Sequence, residues 1–341
     1  MENHKENNIT RMLIETFVKK GLRDIKSSSK RSIRNLVDLA LHAAKGRFQQ
    51  NFFKIAQTML QNEDSPYYDL IEHLVKETDQ EHLLTLGMNV GYNSCTQGAK
   101  IIRAIEAEDG HSIPWCVTLK MGSEQLDSRL AKYQDVITQG EQLGIYTWLL
   151  MVNGSVMQVF DLAEAHPQSA FFLLCKAPQV TGSVLSELEE IKNIMPVLRT
   201  DHDLSELCHL LQNRRLQYSV YDFYTAEDTQ RVTSGEWFRD AERLEPTFAA
   251  LIADASCDLE TRETVCQYVE SARYEQMFQV IPLEWTADCR NVDAIISEDG
   301  YAVWFDEAGR LFTSDHSHTE TDRNLFEDDL KSIFQAALPK A

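Results

Sequence analysis

The chain begins with a long stretch in which apolar residues recur three and four positions apart. Ile33, Leu36, Val37, Ala40 and Leu41 form one such set. That spacing follows one face of a helix, and it runs with interruptions from residue 8 to about residue 108. Gly46, Ser65-Pro66 and Asp79 divide the stretch into separate helices, because these residue types start or stop helices. No strand-type alternation occurs here, and no internal repeat or low-complexity segment is found.

After His111 the pattern changes. Short apolar runs at 115–119, 145–151, 170–174, 194–198, 217–221, 248–252 and 278–282 alternate with amphipathic stretches near 124–143, 156–166, 183–192, 203–213, 234–243 and 259–272. Runs this short suit buried parallel strands better than core helices. Strands alternating with helices predict βαβ units, and seven strands predict an open or partial barrel. The last segment differs. ISEDGYAVWFDEAGRLF carries turn signals at 298–300 and 307–309 around alternating apolar residues, which predicts a small antiparallel hairpin. A closing amphipathic helix is expected over 322–336, with Leu325, Leu330, Ile333 and Phe334 on one side. The expected class is therefore α/β, with a helical lead-in over 1–110, a partial (β/α) barrel over 111–284, and a hairpin with a closing helix over 285–341.

Charge adds an asymmetry to this picture. The chain of 341 residues carries a formal net charge of -20, which argues against nonspecific nucleic-acid binding. Residues 1–50 hold 11 Lys and Arg against 5 Asp and Glu, and the remainder holds 22 against 48. The basic start suits docking on an acidic partner or on the acidic body of the same chain. A solvated helix face is the blander reading and the preferred one. MENHKENNITRMLIETF is too polar for a signal peptide, and YTWLLMVNGSVMQVF is too short and interrupted to span a bilayer. The seven cysteines, at 95, 116, 175, 208, 257, 266 and 289, are odd in number, irregular in spacing and contain no CxxC. Reduced thiols in a cytoplasmic setting are expected.

Motifs that carry chemistry are mostly missing. No phosphate-cradling GxxxxGK[ST], no GxGxxG turn, no HExxH and no GxSxG elbow is present. Cys289 with His316 and His318 offers a thin metal-ligand set, and an exposed linker accounts better for the histidine pair. Cys95, in NVGYNSCTQGAK, suits a nucleophile less well than a small core residue on a helix. Cys116, Cys175 and Cys208 fall inside apolar runs and are expected in the core. Glu106, Glu108 and Asp109 are expected at a solvated helix end, although paired carboxylates can do acid–base work. His166 and His202 follow expected elements, a common place for catalytic residues, but each is a lone histidine.

Several phrases in order carry a resemblance. HSIPWCVTLKM, GEQLGIYTWLLM, RVTSGEWFRDAERL and PLEWTADCRNVDAIISEDGYAVWFDEAGRLF are similar to successive segments of radical SAM proteins with an N-terminal helical region and a C-terminal SPASM-like extension. The resemblance covers about residues 30–335. It implies a barrel of the radical SAM type whose first strand is followed by CxxxCxxC, three thiolates holding a [4Fe–4S] cluster to which S-adenosylmethionine binds.

This sequence departs from that pattern in three places. The first strand continues through Lys120-Met121-Gly122 into a helix near Ser123, and no cysteine lies between Cys116 and Cys175. The Gly-Gly-Glu/Asp-Pro turn after the second strand is replaced by Val152-Asn153-Gly154-Ser155. In the extension, Ala294 and Thr313 stand where cysteines are expected. Iron–sulfur ligation needs closely placed thiolates, so no cofactor is expected.

The resemblance then implies a noncatalytic member, a pseudoenzyme that binds a protein, peptide or small ligand, with an active radical SAM homologue as a partner. No nucleic-acid or membrane partner is expected, and the oligomeric state is left open. Asn153, Gly154, Ser155, Lys176, Arg199 and Asp222 are the candidate ligand-binding residues at the barrel mouth. The alternatives are an enzyme with non-radical chemistry, using those strand-end groups with Asp254, and a structural scaffold.

Overall fold

Helix starts fall where the sequence marks them. Ser65 accepts a hydrogen bond from the Tyr67 backbone N–H at 3.2 Å, with Pro66 in the first helical turn. Asp79 accepts from the N–H groups of Glu81 and His82 at 3.0 and 3.1 Å. Both satisfy donors that a helix start otherwise leaves unpaired. The computed structural model describes residues 2–44, 46–313 and 322–340.

The lead-in contains α1 (Glu2–Ser27), α2 (Ser29–Ala43), α3 (Arg47–Met59), α4 (Pro66–Glu77), α5 (Gln80–Met88), a π-helix (Asn89–Gly98) and α6 (Ala99–Asp109). Its own small core packs Ile25, Ile33, Leu60, Tyr68 and Val75. Among the described residues no helix is long and apolar enough to cross a membrane.

Seven strands then alternate with helices. They are β1 (Cys116–Gly122), α7 (Ser123–Leu143), β2 (Thr147–Asn153), α8 (Met157–Ala165), β3 (Ala170–Cys175), α9 (Gly182–Glu190), β4 (Ile194–Arg199), α10 (Ser205–Asn213), β5 (Ser219–Tyr224), α11 (Thr229–Thr233), α12 (Glu236–Glu242), β6 (Phe248–Ala253), α13 (Leu259–Tyr274) and β7 (Ile281–Glu284). Each expected run contains or overlaps its strand. After them come α14 (Trp285–Ser297), β8 (Val303–Phe305), β9 (Leu311–Phe312) and α15 (Leu330–Ala337).

The sheet order is β7-β6-β5-β4-β3-β2-β1-β8-β9, parallel throughout except for the β8–β9 pair. The sheet curls. On a flat sheet β3 and β6 would stand about 14 Å apart, at three strand spacings. Yet the Phe172 and Phe248 rings approach to 6.1 Å, and Phe172 also reaches Trp285 at 6.3 Å. The barrel stays open, because β7 and β8 do not pair among the described residues. This is the α/β partial barrel that the chain pattern and the resemblance imply.

Two apolar layers result, as expected for strands buried on both faces. Val117, Leu119, Trp148, Leu150, Phe171 and Leu173 point outward to the helices. Leu149, Ala170, Leu174, Met195, Val197, Tyr221 and Ala250 line the inside with Leu86 of α5, and Val90 packs against them. Leu86 and Val90 therefore plug the N-terminal end of the barrel. Asn89 donates to the carbonyls of Pro167 and Ser169 at 3.0 and 2.9 Å, and Asn93 donates to that of Gln168 at 2.8 Å. These bonds tie the π-helix to the turn before β3.

Three expectations need correction. Residues 285–297 form a helix, and its end takes in Ile296 and Ser297, which were expected to open the hairpin segment. The 298–300 turn signal is the cap of that helix, with Glu298 in the left-handed region at φ 73°. The hairpin is real, but its first strand joins the main sheet beside β1. The closing helix begins at Leu330. Residues 322–329 form turns in which Asn324 and Asp328 capture backbone N–H groups, as those residue types do in competition with helix.

Candidate functional site

The C-terminal ends of the strands open into a cavity of about 380 Å³, within the usual range for ligand sites. Alternation decides which side chains reach it. On β1 the outward residues Val117, Leu119 and Met121 are fully buried, which leaves Thr118 and Lys120 facing inward. Leu149, Met151, Leu174, Phe223 and Ile252 continue the wall from β2, β3, β5 and β6. Arg199 ends β4, Asp254 follows β6, Trp285 and Thr286 begin α14, and Trp304 comes from β8.

The two cations of the lining differ in surroundings. The Arg199 guanidinium lies over the Phe223 ring at 5.0 Å. Its Nε is 3.3 Å from Asp222 Oδ1 and 3.6 Å from Asp201 Oδ2. Asp222 also accepts from Thr200 Oγ1 at 2.7 Å. Burial pushes the Asp201 carboxyl up, but the hydrogen bond from His202 and the charges of Arg199 and Lys176 outweigh it and hold it below its ordinary value. Lys120 lies over the Trp304 ring at 5.6 Å, a cation–π distance. No carboxylate pairs with it among the described residues.

The candidate residues separate into two groups. Lys176, Arg199 and Asp222 meet around Asp201, with Lys176 Nζ at 3.5 Å. Of the three, only Arg199 lines the cavity. Asn153 ends β2, and Gly154 and Ser155 lie on the exposed turn after it, all three outside the cavity wall. There Gln179 Nε2 donates to the carbonyls of Val152 and Gly154 at 3.0 and 2.6 Å, and Ser155 Oγ accepts from the Met157 N–H at 3.4 Å. Asp254 does line the cavity. Sequence reasoning missed Thr118, Lys120, Phe223, Trp285 and Trp304. A usable signal existed on β1, where Thr118 and Lys120 are polar residues two apart in an otherwise apolar strand.

The remaining sequence candidates occupy structural positions. Glu106 is buried rather than solvated, a correction, and accepts from the Ile113 N–H at 2.8 Å. Asp109 pairs with Lys331 at 2.6 Å. His166 is buried beside Glu141 at 3.3 Å, and His202 is exposed beside Asp201 at 2.8 Å. His316 and His318 lie outside the described residues. Arg47 of the basic start reaches Glu298 at 2.6 Å, whereas Lys19 pairs within its own helix.

The thiols decide whether the cofactor implied by the resemblance has ligands here. All seven cysteines are free. β1 continues to Gly122, and that glycine is also the N-cap of α7, so no loop follows the strand. Cys175 ends β3 but belongs to the outer layer. Cys257 is buried, and its Sγ approaches the Tyr224 carbonyl at 3.0 Å. Cys116 and Cys289 place their sulfurs 3.5 Å apart, and Cys95 belongs to the same buried core. That pair stands at the start of β1, the end opposite the cavity. Among the described residues no three His, Cys, Asp or Glu side chains converge as a metal site. The described residues at the mouth do not fit an iron–sulfur cluster.

No family model and no curated protein matches this sequence. Among solved structures, the chain is similar to the crystal structure of Streptococcus suis SuiB at 12% identity and TM-score 0.49, over 69% of this chain and 68% of that one. SuiB bound to the precursor peptide SuiA aligns at 11% identity and TM-score 0.47, over 69% and 67%. SuiB bound to S-adenosylmethionine aligns at 11% identity and TM-score 0.49, over 69% and 66%.

Proposed function

We propose that this chain is a noncatalytic radical SAM-like protein that binds a small ligand or peptide in the mouth of its half-barrel. One observation carries the reading. The strand that should lead into a cluster loop passes straight into α7, with Gly122 as both its last residue and the helix cap, while a cavity of about 380 Å³ persists beside it. A place to bind is kept where the ligands for the cofactor are missing. Anaerobic reconstitution with iron and sulfide tests this. We expect no stoichiometric cluster and no cleavage of S-adenosylmethionine. A stoichiometric [4Fe–4S] cluster that cleaves S-adenosylmethionine overturns the reading.

A second reading, non-radical catalysis at the mouth, draws support from Arg199 and Asp254 sharing the cavity wall. Geometry weighs against it. A nucleophile needs a base within hydrogen-bond reach, and Ser155 Oγ meets a backbone N–H instead.

A further inference from the structure

The lining of the mouth also bears on the class of ligand, an inference that rests on the mouth being a binding site. Charge is the starting point. Arg199 already faces two carboxylates, Asp222 and Asp201. Lys120 faces none among the described residues; its ammonium is met by the Trp304 ring. Lys120 is also only partly exposed, on a strand whose flanking residues Leu119 and Met121 are fully buried. A partly desolvated ammonium without an anion gains when one arrives, because its attraction is stronger than in bulk water. One cation that meets no carboxylate among the described residues suits a single negative charge better than a phosphate dianion.

The rest of the wall describes the body of the ligand. Leu149, Met151, Leu174, Phe223 and Trp285 are apolar or aromatic, and ring faces and methionine side chains pack well against flat rings. The Trp304 ring is held parallel to Phe312, 3° apart at 5.9 Å, so its orientation toward Lys120 is fixed. Thr118 and Thr286 add hydroxyls that can bond a carboxylate or a ring substituent.

We infer that the mouth binds a monoanionic carboxylate with a flat aromatic body, its carboxylate on Lys120 and its ring among Trp285, Trp304 and Phe223. Recognition is by charge at one point and apolar contact elsewhere, as in most small-ligand sites.

Isothermal titration of the full chain with three matched probes tests this: indole-3-propionate, its uncharged amide, and tryptamine. We expect the carboxylate to bind at least roughly tenfold more tightly than the amide, the size of one charge-assisted hydrogen bond, and tryptamine to bind more weakly still. Lys120→Gln should bring carboxylate and amide to equal affinity without changing the melting temperature, and Lys120→Arg should restore the preference. Equal binding of carboxylate and amide by the natural chain, a carboxylate preference that survives in Lys120→Gln, or binding of none of the probes overturns the inference. The broader reading has a separate test, because it falls on cluster content and S-adenosylmethionine cleavage.

Discussion

The backbone N–H of Trp115 donates to Asp293 Oδ1 at 3.0 Å, and this bond fixes where the first barrel strand begins. Asp293 is fully buried on α14. Its other oxygen accepts from the Tyr301 N–H at 2.7 Å. Trp115 Nε1 in turn donates to the Cys289 carbonyl at 2.9 Å. One helix thus holds the start of β1 and the approach to β8 together.

This arrangement predicts a pH dependence. Burial raises the Asp293 carboxyl from 3.8 to about 7, against the lowering effect of the bonds from Tyr301 and Trp115. A carboxyl raised in the folded state holds its proton where the unfolded chain has lost it. Its contribution is therefore full below about pH 4, is lost as pH rises toward 7, and is constant above. At about 1.4 kcal/mol per pKa unit the swing is on the order of 4 kcal/mol. Urea unfolding at pH 5 and pH 8 should show lower stability at pH 8, and Asp293→Asn should shrink that difference. An unchanged difference in the variant would refute the assignment. Glu106 and Glu284, also raised by burial, slope the same way.

Lys340 gives a second pH-linked expectation. Its ammonium lies 3.2 Å from the buried Glu106 and 3.1 Å from Asp299. Lys340→Met leaves Glu106 without that cation, so its charged form becomes more costly. We expect a loss of about 1–3 kcal/mol at pH 8 and a smaller loss at pH 5, where Glu106 can take up a proton. Equal losses at both pH values would count against the pairing.

The junction between the π-helix and the barrel depends on two glycines. A Cβ at Gly98 would collide with the Gly144 carbonyl, and Gly144 itself has φ +95°. Nearby, a Cβ at Gly140 would run into the Trp148 ring. Gly144→Ala combines left-handed strain of about 1–3 kcal/mol with a steric clash against rigid backbone. Thermal unfolding should show a drop of several degrees for Gly144→Ala and little change for Gly182→Ala, where a Cβ meets nothing within 4 Å. Similar melting temperatures would show that the junction tolerates separation.

Thiol chemistry offers a check on the packing. Six cysteines are buried and Cys266 is half-buried. Burial pushes the thiols of Cys95, Cys175 and Cys208 up to about 12, so they stay protonated and unreactive. An aromatic disulfide reagent at pH 8 should titrate at most one thiol rapidly in the folded chain and all seven after denaturation. Rapid reaction of Cys116 or Cys289, identified by mass spectrometry, would mean that the start of β1 opens readily.

Much of this fold could be read in the sequence because its signals are local. Ser65 and Asp79 cap helices by their own side chains, and every run from 115–119 to 278–282 became or adjoined a strand. The π-helix of Asn89–Gly98 and the placement of β8 beside β1 could not be read, since both are decided by distant packing. The site was legible only in part for a related reason. Arg199 and Asp254 stand at strand ends and could be nominated. Asn153 and Ser155 look equivalent in sequence but lie on the rim. Which face of a doubly buried strand turns inward depends on the curl of the sheet, and residues such as Lys120 are found only once that curl is known.

The double role of Gly122 also bears on engineering. Where one residue both finishes a strand and starts a helix, exchanging side chains creates no slack. Grafting iron-binding capacity onto this scaffold would require new chain length spliced in at that joint, with α7 pushed outward to admit it.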